Sequence, residues 1–126
     1  MLFRSILPGY ALYHLMGPVE ANYVLHLGVA GVALFALYAT LQELFGRRTA
    51  VLTALCMGAY PGFLMATGWD WVDGPAIAYA LVAIYFLTRA ARRPRWRLAM
   101  ALAGAATAAL VFSHPLTAVL DRKSVV

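Results

Sequence analysis

The stretch Ala21-Asn-Tyr-Val-Leu-His-Leu-Gly-Val-Ala-Gly-Val-Ala-Leu-Phe-Ala-Leu-Tyr-Ala-Thr-Leu-Gln-Glu-Leu44 decides the fold class. A helix rises about 1.5 Å per residue and the hydrocarbon layer of a bilayer is about 30 Å thick, so roughly twenty mainly apolar residues make a crossing. This run is long enough. Pro18 and Glu20 before it suit the first turn of a helix, where a missing N–H costs nothing and a negative charge meets the dipole, and Gly46 after it suits a helix end. Working outward, three further runs resemble it: Thr49 to about Thr67 with Pro61 and Gly62 near its far end, about 72–88, and Leu98 to Leu120. The resulting expectation is an all-α integral membrane protein with about four transmembrane helices (about 21–44, 49–67, 72–88 and 98–120), part of a larger helical bundle. Residues 1–20 form an outer-face juxtamembrane segment and 121–126 a short tail.

Composition agrees with that division. The 126 residues are 63% hydrophobic and 12% charged, against roughly half and a quarter in a soluble domain. Ten Lys and Arg against five Asp and Glu give a net charge of +5, but their placement beside apolar runs points to lipid and excludes nucleic acid as a partner. The single Cys56 sits inside an apolar run, so neither a disulfide framework nor a thiolate cluster is available. Pro8, Gly9 and His14 interrupt the N-terminal stretch before a signal-peptide core can form. In the fourth run, Ala101, Ala105 and Ala109 make one row of small residues, and Gly104 and Ala108 a neighbouring one. Such rows let helices approach closely, so this helix is expected to sit among further transmembrane helices.

Orientation follows from short basic loops, which stay in the cytoplasm. Arg47 and Arg48 follow the first run, and Arg89, Arg92, Arg93, Arg95 and Arg97 follow the third, so seven of the ten basic residues share one face. The other face holds Glu20, Asp70, Asp73 and Asp121, with His14 and His114 at its boundary. A multi-pass protein of the cell membrane with the Asp70/Asp73 loop outside is the expected topology.

The outer loop Gly68-Trp-Asp-Trp-Val-Asp-Gly-Pro75 carries the richest chemistry. Trp69 and Trp71 can stack on the C–H faces of a sugar while Asp70 and Asp73 accept its hydroxyls, which makes the four substrate-binding candidates. The same residues also fit an interfacial aromatic belt and a helix cap. His114, before Pro115, is a further substrate candidate because ionisable groups near a bilayer are costly, though it also suits local hydrogen bonding around the proline. His26 fits an interhelical hydrogen bond. Arg92, Arg93 and Arg95 are candidates for a lipid phosphate or anionic lipids, beside their plainer role as a topological anchor. No phosphate-binding loop, nucleophile elbow or zinc-ligand helix is present in the sequence. No cofactor is predicted, and a divalent metal has no ligand spacing to support it.

The order of these segments resembles a known family. Leu44-Phe-Gly-Arg-Arg-Thr-Ala50 opening a run, then Tyr60-Pro-Gly-Phe63, then Asp73 leading into Ala78-Tyr-Ala-Leu81 and a basic turn, is similar to the membrane-embedded glycosyltransferases of the C superfamily, in the protein mannosyltransferase and aminoarabinose transferase branch. Leu7-Pro-Gly-Tyr-Ala-Leu-Tyr-His-Leu-Met-Gly17 resembles the juxtamembrane segment that precedes those spans. The resemblance implies transfer of a sugar from a polyprenyl-phosphate donor to an acceptor on the non-cytoplasmic face, with inversion at the anomeric carbon. An outer carboxylate would act as base and cations would stabilise the departing phosphate. It also implies that the family's catalytic acidic residues belong upstream of Met1, so that the chain corresponds to an interior part, incomplete and inactive when isolated. Two other readings remain: a small non-enzymatic four-span accessory protein that docks through its alanine-rich helix, and a transporter segment in which His26 and His114 relay protons.

Overall fold

A computed structural model describes residues 14–68, 73–93 and 96–113, and among them every regular element is helical. Five helices follow in order: α1 (Pro18–Phe45), α2 (Arg47–Ala59), α3 (Pro61–Gly68), α4 (Asp73–Arg92) and α5 (Trp96–Ser113). Helix α1 starts with proline at its first position, and its first backbone bond runs from the Ala21 N–H to the Gly17 carbonyl at 2.9 Å. It stops at Gly46, whose φ of 91° lies in the left-handed region that side-chain-bearing residues rarely adopt. The Gly46 N–H donates to Gln42 while its carbonyl accepts from Ala50, so one residue ends α1 and begins α2.

The second apolar run folds as two helices bent by 65°. Pro61 is the physical cause, since it disfavours helical backbone in the residue before it, and Tyr60 is extended at φ −72°, ψ 121°. Two backbone bonds flank the break. The Tyr60 N–H donates to Met57 and the Tyr60 carbonyl accepts from Leu64.

Packing is close and nearly all through alanine. Among the described residues, nine of the ten buried apolar ones are alanines, and the tenth is Phe63. Ala33 of α1, Phe63 of α3 and Ala78 of α4 meet in one cluster, with Val29, Leu34, Met57 and Leu81 around it. Large apolar side chains point outward instead, among them Leu27, Phe35 and Leu55. Such an inside-out distribution suits lipid as the solvent, where burial of small residues brings backbones together and dispersion holds them. Threonine hydroxyls are satisfied within their own helices: Thr40 donates to Ala36, Thr67 to Phe63, Thr88 to Ile84 and Thr107 to Ala103, each one turn back.

Helices α1 and α4 are long and apolar enough to cross a membrane, and the bent α2–α3 pair makes up to a third crossing, while the apolar part of α5, Trp96–Val111, is shorter. The chain is therefore a membrane protein. Helix α5 packs on α4 through Ala99, Ala103 and Ala106. The row of Ala101 and Ala105 and the neighbouring row of Gly104 and Ala108, singled out in the sequence, are instead exposed. An adjacent alanine row makes the contact, because in so alanine-rich a helix several faces are equally small.

At the other end of α1, Arg93 and Glu43 form an ion pair at 3.0 Å, and Arg92 donates to the Glu43 carbonyl. This pins the end of α4 to the end of α1. The Arg93 side chain is 59% exposed, so Glu43→Gln is expected to cost no more than about 0.5 kcal/mol in thermal unfolding of detergent-solubilised protein. A loss above about 2 kcal/mol would show that the pair is shielded from water.

Candidate functional site

Polar groups gather at the opposite end of the bundle, where α1, α3 and α4 converge. Thr67 lies in the last turn of α3, so its carbonyl has no partner within that helix. His26 of α1 supplies one: its Nδ1 stands 2.6 Å from the Thr67 oxygen. A carbonyl only accepts, so Nδ1 must carry the proton. Replacing His26 with leucine orphans that oxygen and is expected to lower thermal stability by about 1 kcal/mol, the usual worth of an interhelical hydrogen bond in a membrane. An unchanged melting temperature would show that water or another group serves the carbonyl.

Next to Thr67, α4 begins. Gly74, the second residue of α4, is buried against the end of α3 so closely that an added Cβ would stand 3.2 Å from both the Ala66 oxygen and the Thr67 Cα. Only glycine permits this approach without displacement. Asp73, the first residue of α4, is placed by it, one residue before the contact. On α1, Asn22 lies one turn from His26, and its Oδ1 is buried with no hydrogen-bond partner among the described residues. The end of the bundle therefore combines an imidazole, a buried amide oxygen and the start of a helix led by a carboxylate residue.

The substrate candidates divide unevenly between described and undescribed residues. Asp73 lies at the start of α4, while Trp69, Asp70, Trp71, Arg95 and His114 lie outside the described residues. Arg92 ends α4, nineteen residues on from Asp73 or about 28 Å along the helix axis, and Arg93 follows it. They share the Glu43 contact, so neither can reach a phosphate leaving near Asp73. Any phosphate they touch lies at the basic end of the bundle. Among the described residues no group of three or more His, Cys, Asp and Glu is arranged to hold a metal ion.

Reading the sequence missed four participants. Glu43 had a visible signal, a lone acid at the end of an apolar run beside a basic loop. Gly74 had a weaker one, before a proline at a helix start. The Thr67 carbonyl and the Asn22 amide had none, because a backbone acceptor is invisible in sequence and an amide in the first turns of a helix is unremarkable.

Comparison with known proteins adds one finding. The family model described as dolichyl-phosphate-mannose-protein mannosyltransferase matches residues 12–120. No curated protein and no solved structure matches the chain.

Proposed function

Because the chain belongs to the dolichyl-phosphate-mannose-protein mannosyltransferase family, whose members are membrane glycosyltransferases, we propose that it forms part of an enzyme moving a sugar from a polyprenyl-phosphate carrier to an acceptor on the non-cytoplasmic face of the cell membrane. The observation that carries this reading is the match over residues 12–120, which spans all five helices. Geometry supports it by separating the chain's chemistry. Asp73, Asn22 and His26 belong to one end, and Glu43, Arg92 and Arg93 to the other. With the basic end in the cytoplasm, the acidic end faces the compartment in which lipid-linked sugars are used.

In this reading Asp70 and Asp73 accept hydrogen bonds from sugar or acceptor hydroxyls, and Trp69 and Trp71 stack against the ring. A carboxylate at this end is suited to take a proton from the attacking acceptor. Cations for the departing phosphate must come from elsewhere than Arg92 and Arg93.

The test is titration of a labelled polyprenyl-phosphate sugar into membrane-reconstituted chain and into an Asp70→Asn, Asp73→Asn double variant. Saturable binding by the intact chain, weakened about tenfold in the variant, is expected from loss of one charge-assisted hydrogen bond's worth of affinity. Equal binding by both would remove the loop from the site. No binding by either would favour the accessory-protein reading, in which α5 docks onto a larger complex through its exposed Ala101 and Ala105 row.

A further inference from the structure

A groove of about 470 Å³ runs between α1 and α4, away from the acidic end. Gly28, Gly31 and Phe35 line it from α1, and Val82, Tyr85 and Phe86 from α4. Its floor exists because the two glycines contribute no side chains: a Cβ built at Gly28 or Gly31 meets nothing within 4 Å. From Gly28 to Phe35 the groove follows about 10 Å of helix. Its lining is hydrocarbon and aromatic.

One end is different. Helical side chains lean toward the N-terminus, so Arg89 folds back over Tyr85 one turn before it. Its Nη1 donates to the Tyr85 hydroxyl at 2.7 Å, and its guanidinium carbon lies 6.0 Å from the ring centroid. A groove-lining residue thus holds a cation at the end of an apolar channel. Arg93 is neutralised by Glu43, whereas no carboxylate pairs with Arg89 among the described residues.

We propose that this groove binds an anionic phospholipid of the leaflet at the basic end, with one acyl chain laid along Gly28, Gly31 and Phe35 and the headgroup phosphate on Arg89. The complementarity is specific. An acyl chain matches the apolar lining, and a guanidinium offers paired donors to a phosphate. A second helix would fill the groove equally well with hydrocarbon but would leave the arginine without an anion. The site is separate from sugar transfer and stands whether or not that activity is confirmed.

The test uses the full chain in vesicles, with phosphatidylglycerol or phosphatidylcholine spin-labelled near the acyl terminus as probe, and reads the motionally restricted fraction. The intact chain is expected to retain phosphatidylglycerol about fivefold over phosphatidylcholine, the scale of one arginine at an anionic membrane surface. Arg89→Gln brings the ratio close to one, Arg89→Lys keeps most of it, and Arg48→Gln, an exposed arginine of the same end outside the groove, leaves it unchanged. Gly31→Leu fills the open space and lowers retention of both lipids. Equal loss in Arg48→Gln and Arg89→Gln would overturn the proposal in favour of diffuse surface charge. Unaltered retention in Gly31→Leu, with cross-linking of intact chains through α1, would overturn it in favour of a second copy.

Discussion

Phe63→Ala is expected to destabilise the bundle by roughly 2.4 kcal/mol, the cavity cost of removing about 100 Å³ at 24 cal/mol per Å³. Among the described residues Phe63 is the only large side chain in the buried apolar set, 3% exposed, and it joins α3 to Ala33 of α1 and Ala78 of α4. In a soluble core the same change also forfeits transfer from water. Here the separated helices remain in lipid, which is as apolar as the core, so the cavity and its lost dispersion dominate. Ala33 and Ala78 cannot collapse into the space by changing rotamer, so only the partly buried side chains around them, such as Leu34 and Met57, can reduce it. The measurement is reversible unfolding in mixed micelles, and a loss below about 0.5 kcal/mol would show that lipid refills the gap.

Gly74→Val is expected to cost about 2 kcal/mol, within the range for overpacking, and to weaken binding of a lipid-linked sugar as well. Its Cβ would press on the Ala66 oxygen and Thr67 Cα, both backbone atoms that cannot rotate away. Relief requires the start of α4 to move from the end of α3. That motion carries Asp73 with it and strains the His26 bond to Thr67. Gly74→Ala should lose about half as much. A Val variant of unchanged stability and binding would mean that α3 and α4 can part without consequence.

Much of the fold was legible because the bilayer simplifies the code. A long apolar run must satisfy its backbone internally, which made the helical class evident, and Pro18 and Gly46 marked the two ends of α1. Pro61 likewise marked the break, but its 65° bend depends on how α3 settles against α1, which no local pattern states. The packing face of α5 was obscured by repetition: alanines at 99, 101, 103, 105 and 106 offer several smooth faces, and contact with α4 selects one. The site was legible as chemistry and less so as geometry. Asp73 was recognisable as a residue that opens a helix, yet the Gly74 contact beside it and the His26 bond to a backbone carbonyl were not. Arg92 and Arg93 were recognisable as a basic cluster, but their contact with Glu43 and their distance from Asp73 follow only from how α1 and α4 pack.

The central claim is that the acidic and basic ends face opposite sides of a membrane. It is tested most directly by membrane-impermeant maleimide labelling of Gly68→Cys and Arg48→Cys, each in a Cys56→Ser background. Both positions are exposed, and they flank the bent α2–α3 pair. The expected result is labelling of Gly68→Cys in intact cells and of Arg48→Cys only in inverted vesicles. Labelling of both from one side would make α2–α3 a re-entrant hairpin, and the reverse pattern would place the acidic end in the cytoplasm, each contradicting the account.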